Sequence, residues 1–204
     1  MKIFSAIFCA ALLLSSQSYA LDFFVGFDAL HASAGHEAVN SSSASGPKNG
    51  DVKDSDKVNF GLNTGVRVDF LNLYASGELF FDNLNTTTKS FDLNSGASNS
   101  GNEINLDNRY GAKANAGFAI FPRVTPFLTY GLAGVNYKSS TSTYAISNSE
   151  LTPLYGAGIL VDLPLGVSLK ASYDYQSFNM RYAESGSKIK THLGVAKLGL
   201  IYNF

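Results

Sequence analysis

The sequence predicts an all-β fold: an eight-stranded antiparallel up-and-down β-barrel that crosses a membrane. Three observations predict it, namely eight segments of period-two alternation, connections that alternate between short and long, and an aromatic-rich composition. The 204 residues include 15 Phe, 11 Tyr and no Trp, and 15% are charged. This composition argues against a disordered chain, and 15 basic against 16 acidic residues give no electrostatic attraction to nucleic acid.

The N-terminal segment has the features of a secretory signal peptide. Lys2 gives a positive start, residues 3–14 are apolar, and the small residues Ser18 and Ala20 precede the expected cut. We therefore predict a cleaved signal peptide over residues 1–20 and a barrel domain over residues 21–204. The only cysteine, Cys9, lies in the signal peptide, so the mature chain has no thiol. We expect neither a cofactor nor a metal.

Strict alternation predicts strands with two different faces. In residues 57–70 the even positions are mainly apolar and the odd positions polar or glycine, and residues 167–176 show the same pattern. Less regular alternation occupies the other segments. The predicted strands are 21–31, 57–70, 73–82, 109–121, 125–137, 151–163, 167–176 and 191–204. Each has about the 9 to 11 residues, or slightly more, that a tilted membrane strand requires.

The connections also carry information about the fold. Residues 71–72, 122–123 and 164–166 form tight turns, whereas 32–56, 83–108, 138–150 and 177–190 are long and rich in Ser, Thr, Asn and Gly. All long connections therefore fall at one end of the barrel. Short periplasmic turns and four longer surface loops are typical of bacterial outer-membrane barrels.

A soluble barrel such as a lipocalin also has eight alternating strands. The last strand favours the membrane alternative, because Phe204, Tyr202 and Leu200 share one face and the chain stops on an aromatic residue. The segments Leu-Tyr-Ala-Ser-Gly-Glu-Leu at 73–79, Lys-Ala-Ser-Tyr-Asp-Tyr at 170–175 and Lys-Leu-Gly-Leu-Ile-Tyr-Asn-Phe at 197–204 complete the pattern. Through them the chain resembles the bacterial outer-membrane β-barrels of the OmpA/OmpX and opacity-protein type, often labelled porin family.

The resemblance implies a location and a set of partners. The mature protein would lie in the bacterial outer membrane as a monomer, in contact with membrane lipid and lipopolysaccharide. In such proteins the barrel-insertion machinery reads the C-terminal aromatic strand, and the resemblance assigns that role to Phe204, Tyr202 and Leu200.

If the apolar faces contact lipid, the polar faces line the lumen. The charged residues predicted there are Asp28, Arg67, Glu78, Lys113, Lys170, Asp174 and Lys197. An eight-stranded barrel is just wide enough for side chains to fill it, so these residues predict a plugged lumen rather than an open pore. Asp28, Asp174 and Lys197 are expected to form one mid-barrel cluster. A small-solute porin remains the alternative.

The usual catalytic motifs are absent from the sequence. His31 and Ser33, two apart on one predicted strand, with Glu37 in the following loop, resemble the site of the outer-membrane lipid A deacylases. There Ser would be the nucleophile, His its base and Glu the group that orients the base. The flexible, solvated loops favour another role. In it the barrel displays surface loops that serve a structural, adhesin or surface-antigen role and bind a host or surface ligand. We therefore predict a protein that is not an enzyme, with the deacylase as an alternative.

Overall fold

The computed structural model describes residues 20–38, 58–89, 103–140, 145–181 and 188–204. These residues form eight β-strands and one short 3-10 turn at Pro164–Gly166. The predicted signal peptide lies outside the described residues except for Ala20. The strands are β1 (Ala20–Ala38), β2 (Asn59–Phe70), β3 (Leu73–Lys89), β4 (Glu103–Phe118), β5 (Val124–Ser140), β6 (Ala145–Asp162), β7 (Val167–Arg181) and β8 (Lys188–Asn203).

The eight strands form one closed antiparallel barrel in sequence order, which confirms the predicted fold class. β8 closes the barrel on β1, with pairs that run from Phe24–Asn203 to Ala38–Ile189. A closed sheet has no edge, so every backbone group in the membrane finds a partner without water. The part of the chain that the structure describes contains no helix long and apolar enough to cross a membrane.

The outer face of the barrel is apolar over a belt that spans residues 21–29 on β1 and residues 60–70 on β2. Here "outer" means directed away from the barrel axis, and the apolar belt is the set of exposed large apolar side chains on that face. Its members include Leu21, Phe23, Val25, Phe27, Phe60, Leu62, Leu73, Leu79, Phe81, Phe118, Leu128, Leu132, Ile159, Leu169, Leu198, Leu200 and Tyr202. The buried side chains of the same strands point into the lumen.

Most strands run further than the sequence predicted at the end that carries the long connections, which we call the loop end. β1 continues from residue 31 to Ala38, β3 from 82 to Lys89 and β7 from 176 to Arg181. The expected loops are correspondingly shorter. Between strand ends, residues 39–58 and 90–102 leave connections of 20 and 13 residues, and residues 141–144 and 182–187 leave connections of 4 and 6.

The sequence underestimated the strand lengths because the pattern of apolar and polar residues reverses at the loop end. There the outer side chains become polar and the inner side chains become apolar. Within the belt, β1 turns apolar residues outward and Asp28 inward, but further along it buries Leu30 and Ala32 and exposes His31 and Ser33. β7, β8 and β5 change in the same way. The barrel is therefore apolar outside where it contacts lipid and apolar inside where it stands in water.

Beyond the membrane the strands separate into two sheets. The pairs of β6 with β7 end at Leu154–Gln176, although β6 and β7 both continue. The described part of β2 begins at Asn59, where its pairs with β1 end. The extension thus consists of β3–β4–β5–β6 facing β7–β8–β1. Its buried core is Leu30, Ala32, Ala34, Leu84, Leu106, Val135, Tyr137, Phe178, Met180, Leu193 and Val195.

A side-chain amide holds each place where the sheets separate. Gln176 Nε2 donates to Ala133 O at 2.8 Å and to Thr152 Oγ1 at 2.7 Å, next to the last β6–β7 pair. On the opposite side, Asn59 Nδ2 donates to Leu84 O of β3. The Asn59 bond satisfies a carbonyl of β3 at the irregularity between Asn83 and Thr86, where ladder bonds stop.

The position of the belt predicts how the barrel tolerates charge. Val66→Arg places a cation against hydrocarbon about halfway along the apolar outer face of β2, which runs from Phe60 to Phe70. It should lower the free energy of unfolding by about 2 to 4 kcal/mol. Ser149→Arg is the matched control, since Ser149 is exposed on β6 beyond the belt, and should cost about 0 to 1 kcal/mol. Denaturant titrations in lipid vesicles measure both. Equal losses would contradict the assigned membrane level.

Candidate functional site

A ring of eight charged side chains crosses the middle of the lumen. It alternates acid and base all the way round, in the order Asp28, Lys170, Glu78, Lys113, Asp174, Arg109, Asp82, Lys197 and back to Asp28. The N···O separations range from 2.6 Å, between Lys197 and Asp82, to 4.0 Å, between Lys197 and Asp28. No member is more than 5% exposed. Four carboxylates and four cations give the charge ring no formal net charge.

The charge ring joins strands that are distant in the sequence. β1, β3, β4, β7 and β8 contribute to it, and the β3 and β4 residues reach across the lumen to those of β7 and β8. Arg109 Nη2, for example, contacts Asp82 Oδ2 at 2.7 Å and Asp174 Oδ2 at 3.2 Å. Such bonds tie opposite walls together and occupy the space that a solute would need.

The ring of Phe80 lies against the cations of the charge ring. Its centroid is 4.9 Å from Lys197 Nζ, 5.2 Å from Lys113 Nζ and 5.3 Å from Arg109 Cζ. Each distance is within the range of a cation–π interaction, which strengthens when the cation is removed from water. Phe80 therefore fills space and supplies electron density where four carboxylates face four cations.

Glycines on neighbouring strands make room for the short acidic side chains. The register pairs Asp28 with Gly199, Asp82 with Gly61 and Asp174 with Gly156. A Cβ at Gly61 or Gly156 would lie 2.7 Å from the carboxylate oxygen opposite, and one at Gly199 would collide with Asp28. The aspartate side chains thus lie against the barrel wall, and the longer Lys and Arg side chains extend into the centre of the lumen.

Apolar layers cover the charge ring at both ends. On the loop side lies the core of the two-sheet extension, and on the other side lie Phe24, Tyr74, Phe127, Leu160 and Ile201. We call this other side, where the tight turns are, the turn end. The charge ring is thereby separated from water at both mouths of the barrel.

Arg67 does not belong to the charge ring. It lies towards the turn end, where Nη1 and Nη2 each donate to Asp162 at 2.7 Å and Nε donates to Asp69 at 2.6 Å. β2 and β6 are on opposite sides of the barrel. The two-point bond between Arg67 and Asp162 therefore spans the turn-end mouth.

The structure brings six of the seven predicted lumen charges into the charge ring, but sequence reasoning missed Asp82 and Arg109. A signal was available for both. Asp82 shares the parity of Glu78 on β3, and Arg109 shares that of Lys113 on β4. Each residue stood at an end of its predicted strand, where a face is hardest to assign.

The C-terminal strand forms the seam that closes the barrel. Phe204, Tyr202 and Leu200 are exposed on its outer face, and Phe204 exchanges two backbone hydrogen bonds with Phe23. The Phe204 ring lies 6.4 Å from the rings of Phe23 and Tyr202. These residues are accessible from the membrane, as a recognition signal would need to be.

The structure places the backbone of Glu37 on a strand rather than in a loop. The prediction placed it in an irregular loop, but its backbone belongs to β1, six residues beyond His31 in an extended strand. Six residues of extended strand separate the two Cα atoms by about 20 Å. His31 and Ser33 are exposed on the outer face just beyond the belt. Nearby, the hydroxyl of Tyr175 hydrogen-bonds Nδ1 of His192 at 2.5 Å.

Among the residues that the structure describes, no three His, Cys, Asp or Glu side chains come together in a way that could hold a metal ion.

Comparison with known proteins gives one family. The model of the outer membrane protein beta-barrel domain family matches residues 6–204. No curated relative matches the sequence.

Several solved structures share the fold. One is Ail, the attachment invasion locus protein of Yersinia pestis, in complex with the heparin analogue sucrose octasulfate; it is 18% identical, with a TM-score of 0.53 over 92% of this chain and 100% of that chain. Neisserial surface protein A is 17% identical, with a TM-score of 0.51 over 89% and 97%. AlkL, an outer membrane protein studied in lipid bilayers, is 16% identical, with a TM-score of 0.60 over 93% of each chain.

The charge ring predicts a large cost for removing one of its members. Lys197→Met keeps most of the side-chain volume but removes one of the two cations beside Asp82 and one of the two beside Asp28. It should lower the free energy of unfolding by about 3 to 5 kcal/mol. Lys138→Met is the control, because Lys138 pairs with Asp107 at the surface and should cost about 0 to 1 kcal/mol. Urea titrations in detergent micelles compare the two. Similar small losses would show that the charges are not buried together.

The glycines give a second prediction. Gly199→Ala inserts a methyl group against the Asp28 carboxylate, so overpacking should cost about 1 to 3 kcal/mol. Gly77→Ala serves as control, since a Cβ there would meet only Val66, at 3.8 Å. The same urea titration should show Gly77→Ala near the parent protein. If both variants matched the parent, Asp28 would not lie against Gly199.

Proposed function

Because this chain belongs to the family of outer membrane protein beta-barrel domains, we propose that it is a surface protein of the bacterial outer membrane. In this proposal its barrel is closed and it acts through the connections at the loop end. A cleaved signal peptide over residues 1–20 would bring it to the membrane. Neighbouring lipid and lipopolysaccharide would surround the mature monomer.

The observation that carries this proposal is the two-sheet extension beyond the belt. A barrel needed only to cross a membrane could end its strands at the lipid boundary. Here β1, β3 and β7 continue for several residues and pack a separate apolar core, which resists local unfolding. This extension gives the connections at residues 39–58 and 90–102 a rigid base away from the lipid.

The names of two similar structures support a surface role. Ail is called an attachment invasion locus protein and was solved with a heparin analogue, and the Neisserial protein is called a surface protein. We propose by analogy that the loops of this chain act as an adhesin or surface antigen. Their Ser-rich and Asn-rich composition suits solvated contact with a host or surface ligand rather than precise positioning of a reacting group.

The same reasoning makes catalysis the weaker alternative. A lipid A deacylase would need His31, Ser33 and a carboxylate within hydrogen-bond distance of one another. The extended backbone of β1 carries Glu37 away from His31 instead. We therefore propose a protein without enzymatic activity.

The closed lumen predicts that the folded protein conducts no ions steadily. In this proposal the charge ring and its two apolar layers block the aqueous path, so single-channel recordings in planar bilayers should stay at baseline. Steady conductance in the parent protein would favour the small-solute porin instead.

The loop proposal predicts a division of roles between connections. Cells that carry the parent protein should adhere better to epithelial monolayers or to immobilised heparin than cells that lack it. Replacing residues 39–58 or 90–102 with a short Gly-Ser linker should abolish that difference while the barrel still shifts on gels when boiled. The same replacement at 182–187 is the control. Equal adherence with and without the protein would leave a purely structural role.

A further inference from the structure

The two ends of the apolar belt differ in chemistry. At the loop end every described strand except β2 changes to polar outer side chains within one or two positions, at His31, Asn83, Asn108, Asn136, Ser149, Ser177 and His192. At the turn end no such polar boundary occurs on the described strands. The apolar outer face runs on through the turns, whose tips carry Leu71, Phe121 and Leu165, exposed at 88%, 65% and 92%.

Two of these tip residues adopt a backbone conformation that leucine rarely takes. The φ angles are +54° at Leu71 and +68° at Leu165, in the left-handed region where glycine or asparagine is favoured. A bulky apolar residue gains nothing from such a position in water, because it has both backbone strain and an exposed apolar side chain. The combination indicates an environment in which the side chain is not in water.

The strand that precedes Leu71 shows the continuity of this surface directly. The apolar outer face of β2 runs from Phe60 to Phe70, and Leu71 follows at once. No polar outer side chain therefore separates this turn tip from the belt.

We propose that Leu71, Phe121 and Leu165, the turn-tip triad, are immersed in the membrane leaflet at the turn end, where they bind lipid. The surface is continuous with the apolar belt, which fixes the class of partner as acyl chain. Arg123, in the turn of Phe121, is exposed and also has a positive φ, of +78°. Its guanidinium would extend from the same tip to the phosphate groups of that leaflet. The turns thus anchor the barrel rather than project into the periplasm.

This inference concerns the other end of the molecule from the loops and holds whether or not they bind a ligand. Since the chain has no tryptophan, single Trp substitutions report their own depth. The mature protein carrying Leu71→Trp or Leu165→Trp is folded into phosphatidylcholine vesicles whose acyl chains carry bromine. Leu62→Trp marks the belt, and Asn179→Trp, exposed on β7 beyond the belt, marks water.

We expect the emission of the Leu71→Trp and Leu165→Trp variants to shift to shorter wavelength and to be quenched by the brominated chains, as at position 62. Emission and quenching like those at position 179 would overturn the proposal and leave the tips free for a soluble partner. A second measurement uses Leu165→Asn, which suits a positive φ. The ratio of its unfolding equilibrium constant to that of the parent should rise with acyl-chain length, and a ratio independent of length would also overturn the proposal.

Discussion

Hydrocarbon offers neither hydrogen bonds nor solvation for charge, and the structure is organised around that constraint. Backbone groups must pair within the sheet, so the barrel closes through β1 and β8. Charged side chains must turn inward, so acids and bases meet in the narrow lumen. The charge ring is the arrangement in which each of these charges has an opposite neighbour on both sides.

A buried ion-pair network is weak evidence for stability, because desolvation opposes the attraction between charges. Its effect here is better understood as specificity. The aspartates fit only where glycine stands opposite, and the cations reach the centre only when the aspartates lie against the wall. A shifted register would separate Asp28 from Gly199 and Asp174 from Gly156, and would leave charges unpaired. The charge ring thus selects one register while it closes the lumen.

The sequence predicted the number of strands, their faces within the membrane and the class of fold, because alternation reports local exposure directly. It failed at the loop end, where the outer residues become polar and the inner residues apolar, as with His31 and Leu30. Apolar and polar residues still alternate there, but the polar ones now face outward, so the ends of the strands resembled loops. Contacts across the lumen were also inaccessible, since the partnership of Arg109 with Asp174 joins residues 65 positions apart.

A double-mutant cycle on Glu78 and Lys170 measures whether charges on opposite walls of the lumen are coupled. The two residues lie on β3 and β7 and are 3.1 Å apart. Unfolding free energies of Glu78→Gln, Lys170→Met and the double variant give the interaction energy between them. The charge ring predicts a favourable coupling of about 0.5 to 3 kcal/mol. Additive losses, with no coupling, would contradict a charge ring that joins opposite walls of the barrel.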